Sequence, residues 1–107
     1  MKIVVGMDGS DASIEALRFA ADEAETLDAD LTAVTVWEMP PLALGYVSAA
    51  DASGAMDPWL EKAVDATLGE AGEKVTRRVE TGSASAALLR VAEDADLLVV
   101  GSRGHGA

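Results

Sequence analysis

The chain has 107 residues, half of them hydrophobic, a formal charge of −11 and no cysteine. That length suits one domain spanning residues 1–107, and with one Phe, one Tyr and two Trp its core must be mostly aliphatic. The acidic balance argues against a nucleic-acid binder, which needs a basic face. The lack of cysteine excludes disulfides and thiolate metal sites, and no apolar run approaches the ~18 residues of a bilayer span, so the expectation is a cytoplasmic protein.

Residues 2–7, KIVVGM, form a short apolar run closed by Asp8-Gly9-Ser10, the pattern of a buried strand ending in a turn. The period then changes. Ile14, Leu17, Ala21, Ala24 and Leu27 recur at helical spacing, Asp11, Glu15, Arg18, Asp22 and Glu25 take the other face, and Ser10 or Asp11 supplies the cap. LTAVTVW at 31–37 is rich in β-branched residues and reads as a second strand. From Glu38 to Met56, with Pro40-Pro41, Gly45 and Gly54, the composition is that of a long connection or flap.

Asp57 as N-cap and Pro58 as first helical residue predict a second helix opening there and running to about Gly69 or Gly72, with Trp59, Leu60, Ala63, Val64 and Leu68 toward the core. VTRRVE at 75–80 predicts a third strand, Ser83 to Ala95 a third helix carrying Leu88, Leu89, Val91 and Ala92, and DLLVVG at 96–101 a fourth strand. Strands alternating with helices imply an α/β fold: an open parallel sheet with right-handed crossovers and helices on both faces, Rossmann-like in layout. Ligands of such sheets sit beyond the carboxyl ends of the strands, where strand order reverses, so the loops after strands one and four should form the site.

Those loops are Asp8-Gly9-Ser10 and the GSRGHG run at 101–106. Three glycines in the second loop can aim backbone N–H groups at an anion, and Arg103 adds a cation with bidentate phosphate geometry; a plain glycine-rich turn gives the same pattern. The loop lacks the Gly-Lys-Ser/Thr ending of a Walker A motif. Asp8 can accept hydrogen bonds from ribose hydroxyls or hold magnesium, and it can equally serve an Asx turn or a helix cap. His105, the only histidine, has no spacing to Ser10 or Ser102 that suggests a catalytic triad. Trp37 and Trp59 read as strand-end and helix-start packing residues, and Gly82-Ser83 as a turn with an N-cap on the same rim.

Three segments, VVGMDGSDASIEAL at 4–17, TAVTVW at 32–37 and DADLLVVGSRGHGA at 94–107, resemble the universal stress protein family over nearly the whole chain. The resemblance implies an adenine nucleotide alpha hydrolase-like fold of strand order 3-2-1-4-5, here 3-2-1-4 with the fifth strand missing, and an adenine-nucleotide-binding stress regulator with at most slow ATPase activity. By position, Met7 and Asp8 match the residues that approach adenine and ribose, Val36 the second-strand residue whose backbone meets the adenine edge, and Gly101, Arg103 and Gly104 the start of the phosphate loop. It further implies ATP, ADP or AMP as ligand, with magnesium, and a homodimer formed through the fifth strand. Nucleotide-binding members carry G-x2-G-x9-G-[ST]. Only Gly101-x2-Gly104 is present, so the expectation is a domain incomplete at its C-terminus, with an interaction module of the same fold as the alternative function.

Overall fold

A computed structural model of the chain describes residues 1–37 and 49–101. Four strands and three helices alternate: β1 Lys2–Met7, α1 Asp11–Leu27, β2 Asp30–Trp37, α2 Ala49–Leu68, β3 Thr76–Thr81, α3 Ala84–Val91 and β4 Leu97–Val100, with 3-10 segments at Gly69–Lys74 and Ala92–Asp94. The strands form one parallel sheet, the α/β arrangement expected from the alternation, in the order β3-β2-β1-β4 that the resemblance implies. β1 is central, pairing with β2 from Lys2↔Asp30 to Met7↔Thr35 and with β4 from Ile3↔Leu97 to Gly6↔Val100.

A central parallel strand is covered on both faces, which is why its sequence is a continuous apolar run rather than an alternating one. Ile3, Val5 and Met7 pack with Ala16, Leu17 and Ala20 of α1 and Leu60 and Val64 of α2 on one face. Val4 points the other way, to Val34 and to Val91 and Leu88 of α3. The helices therefore lie on both faces of the sheet. No helix among the described residues is long and apolar enough to cross a membrane.

Helix α1 starts at Ser10, whose Oγ accepts the Ser13 N–H at 3.1 Å, and ends at Asp28, whose left-handed backbone lets its N–H reach the Ala24 and Glu25 carbonyls. Its buried stripe is Ser13, Ala16, Leu17, Ala20 and Ala24, while Leu27 is exposed and Ile14 and Ala21 only half-buried. The period was legible but its phase is set by alanines, which let the helix axis approach the sheet closely. Helix α2 departs further from expectation. It begins at Ala49 and carries Pro58 in its interior, so Asp57-Pro58 does not open it. Alanines at 49, 50, 52 and 55 favour helix upstream of the proline, at the loss of one hydrogen bond to the Gly54 carbonyl. Of the expected long connection, residues 38–48 lie outside the described residues.

The two sheet edges differ in chemistry. β3 is charged: Arg77 on the α2 face pairs with Glu61 at 2.7 Å and Asp65 at 3.0 Å and donates to the Gly72 carbonyl, and Arg78 and Arg90 share Glu80 on the α3 face. β4 is LLVV, with Val100 exposed and Phe19 of α1 exposed beside it. Its start is fixed by Lys2, whose N–H donates to Asp96 Oδ2 and whose ammonium pairs with Asp94 at 3.0 Å.

Candidate functional site

At the carboxyl end of β1 the chain turns sharply through Asp8-Gly9-Ser10. Gly9 has φ +84°, in the left-handed region where a side chain is strained, and a Cβ there would meet the Trp59 ring at 3.3 Å. Asp8 Oδ1 accepts hydrogen bonds from the Ser10 N–H, at 2.9 Å, and from the Ser10 hydroxyl. The Ser10 hydroxyl in turn caps α1. This is the Asx-turn role of Asp8, and it fixes the carboxylate at the rim of the sheet instead of leaving it to swing into solvent.

The other strand that ends here is β4, followed by Gly101. A Cβ on Gly101 would lie 2.5 and 2.6 Å from the carbonyl carbon and oxygen of Ala12 and 2.7 Å from the Ser13 nitrogen. No side chain fits between the end of β4 and the first turn of α1. The glycine is therefore required by close backbone approach, and that approach carries Gly101 to within reach of the Asp8 turn.

Between these strand ends lies a pocket of about 140 Å³ that brings together Met7, Asp8, Val36 and Gly101, four of the six residues singled out in the sequence. Arg103 and Gly104 lie outside the described residues, as do Ser102, His105 and the side chain of Trp37. The pocket is smaller than the roughly 300–1,000 Å³ that buries a whole drug-sized ligand, so it suits a ring-sized fragment. Its lining is mixed: Asp8 and Ser13 are polar, while Val34, Val36, Leu88 and Val100 are apolar.

Sequence reasoning missed Gly6, Ser13, Val34, Ala84, Leu88 and Val100, which also line the pocket. Strand parity could have found Val34, which shares a face with Val36; the position of Leu88 depends on how α3 crosses the sheet. Ser83 occupies the N-cap position of α3 as expected, but its side chain makes no cap hydrogen bond and lies 3.4 Å from the Ser85 hydroxyl. Trp59 is half-buried against the core, its ring beneath the Asp8 turn.

Larger hollows of about 380 and 480 Å³ open at the opposite end of the sheet. One is floored by alanines beside Glu25, Asp28 and Lys74, and the other holds Lys2, Arg78 and Arg90 with carboxylates already paired to them. Burial raises the Glu80 carboxyl, yet hydrogen bonds from Arg78 and Arg90 outweigh it and leave the group below its usual range. Asp94 is lowered by its hydrogen bond from Lys2. Volume alone does not identify a site, and in the second hollow Lys2, Arg78 and Arg90 are already paired with Asp94 and Glu80. Among the described residues no group of three His, Asp or Glu side chains could hold a metal ion.

Comparison with known proteins matches the model of the universal stress protein family over residues 1–107. A universal stress protein of Mycolicibacterium smegmatis is 34% identical over 115 residues, an alignment that takes in 99% of this chain and 37% of that protein, so the chain spans little more than a third of its relative's length. Among solved structures, a universal stress protein in complex with cAMP superposes with a TM-score of 0.73 at 26% identity, over 94% of this chain and 75% of its own. A family member from Burkholderia pseudomallei gives 0.72 at 26% identity, over 94% and 80%.

Proposed function

This chain belongs to the universal stress protein family, and we propose that it binds an adenine nucleotide in the pocket between Asp8 and Gly101, as a stress regulator that does little or no chemistry on its ligand. The observation that carries the proposal is the pocket's mixed lining. Three valines and a leucine suit a heteroaromatic ring, and a carboxylate fixed by its own turn suits sugar hydroxyls, which need an acceptor. A family member of the same fold is known in complex with cAMP, which supports an adenine ligand here.

Charge favours small phosphate loads. The charged side chain lining the pocket is Asp8, and the whole chain carries −11. Each added phosphate charge therefore works against a negative field, so AMP and ADP should bind more tightly than ATP, with Arg103 and Gly104 as the phosphate contacts. Any magnesium would arrive with the phosphates and find one pocket carboxylate, Asp8. The hydroxyls near the carboxylate are already engaged: Ser10 Oγ donates to Asp8 and accepts from Ser13, and Ser13 Oγ donates to the Ser10 carbonyl. A serine nucleophile would have to break the hydrogen bonds that start α1, which argues against covalent chemistry by these hydroxyls.

Equilibrium dialysis against AMP, ADP and ATP tests this. Binding at or below millimolar concentration, ordered AMP and ADP ahead of ATP, is expected; no binding of any of the three at millimolar ligand overturns it.

The charge-free edge of β4 favours a second reading, a nucleotide-independent interaction module in the cytoplasm that pairs as a homodimer through this edge or through a strand added to it. Four apolar strand residues, Val100 among them exposed, with Phe19 exposed alongside, are the surface such pairing would bury. Protein purified without bound adenine, whose partners in a pull-down ignore added ATP, would select this reading over the first.

A further inference from the structure

We infer that Gly6 and Leu88 together set the size of the ring the pocket admits, Gly6 by leaving Leu88 room to lie close to β1 and Leu88 as a movable wall; this rests on the nucleotide reading above. Gly6 is the residue of β1 between Val5 and Met7, both buried. It points to the α3 face, as Val4 does, and its missing side chain is what lets Leu88 sit close over β1: a Cβ on Gly6 would lie 3.2 and 3.3 Å from the two Leu88 δ-carbons and 3.4 Å from Val100 Cγ1. These are tight contacts with the far end of a flexible side chain, not with backbone. A methyl at position 6 would therefore be accommodated by Leu88 rotating, and the space it can rotate into is the pocket.

The apolar part of the lining, Val34, Val36, Leu88 and Val100, carries no side-chain hydrogen-bonding group. Discrimination among ring ligands against these side chains is consequently steric, and position 88 decides its limit. A single methylene in a close apolar pocket changes binding by about 10–200-fold.

The test is a double-mutant cycle read by equilibrium dialysis with AMP, and with AMP bearing a phenyl-sized group at N6, C2 or C8 in turn; thermal melts verify that each variant is folded. Gly6→Ala should weaken AMP by about tenfold or more, Leu88→Ala should admit at least one enlarged analogue that the parent protein rejects, and the double variant should recover most of the lost AMP affinity. If the two effects instead add to within about twofold, or Leu88→Ala gains no analogue while AMP still binds the parent protein, the inference fails and the nucleotide reading stands. If AMP does not bind the parent protein at all, both fall.

Discussion

Replacing Gly101 with alanine should be the most damaging glycine substitution in the described chain, and its magnitude follows from distances. An ideal Cβ at 101 would stand 2.5 Å from the Ala12 carbonyl carbon, 2.6 Å from its oxygen and 2.7 Å from the Ser13 nitrogen, against 3.4 Å for ordinary contact, a shortfall of about 0.9 Å at the nearest atom. All three atoms are backbone of the first turn of α1, so no rotamer change relieves the clash. Either β4 or the capped start of α1 must move. Overpacking of this kind costs typically about 1–3 kcal/mol, and the upper part of that range is expected because the obstacle is backbone on both sides. For a domain of this size each kcal/mol lowers Tm by roughly 4–8 °C. Urea unfolding followed by circular dichroism reads the loss. The comparison is Gly82→Ala: Gly82 has φ +116° and open space around it, so that change costs backbone strain alone, about 1–2 kcal/mol. If Gly101→Ala is within about 0.5 kcal/mol of the parent protein, the close approach of β4 to α1 is wrong, and with it the reason given for glycine at this site.

Three further outcomes are expected. Thr35 is buried and its Oγ1 has no hydrogen-bond partner among the described residues, so Thr35→Val, which keeps the shape and removes the orphan hydroxyl, should stabilise by about 1 kcal/mol in the same urea assay. Ser10→Ala removes the cap of α1 and one of the two hydrogen bonds that Ser10 gives Asp8; a loss of about 1 kcal/mol, accompanied by weaker AMP binding, is expected. Glu80 is held below its usual value of 4.5, so its folded pKa lies under its unfolded one: the stabilisation is present at pH above about 4.5 and disappears as pH falls through the lowered value. Chemical denaturation between pH 3 and 7 should therefore show a shallower acid slope for Glu80→Gln than for the parent protein.

The parallel sheet, the two helical layers and the pairing of the Asp8 turn with Gly101 were legible because they follow from alternation of period and from the rule that parallel-sheet sites lie at carboxyl strand ends, whereas the order 3-2-1-4 came from the resemblance to the universal stress protein family. β1 and β4 announce themselves as apolar runs, and Met7, Asp8, Val36 and Gly101 meet in one pocket. What escaped has physical reasons. The start of α2 was misplaced because Asp57-Pro58 is a strong local opening signal, while the alanines before it make only a diffuse one. The phase of α1 was misread because alanine is as small as it is apolar, and burial at Ala16 and Ala20 reflects how near the helix lies to the sheet. Leu88 was legible as a core residue and not as a pocket wall, since its meeting with Gly6 depends on the crossing of α3 over β1. The need for Gly101 was read as freedom to bind an anion. Its distances to Ala12 and Ser13 show a second cause, exclusion of a side chain by a neighbouring helix.

The central claim is that an adenine nucleotide binds between the ends of β1, β2 and β4, with Asp8 on its polar side. A titration of ¹⁵N-labelled protein with AMP, repeated on Asp8→Asn, tests it most directly. The account predicts saturable amide shifts concentrated at Gly6, Met7, Asp8, Val36 and Gly101, and affinity reduced about tenfold or more in Asp8→Asn, which leaves a sugar hydroxyl facing a weaker acceptor. Shifts that cluster instead around Lys2, Arg78 and Arg90 at the opposite end of the sheet, or unchanged affinity in Asp8→Asn, would contradict it.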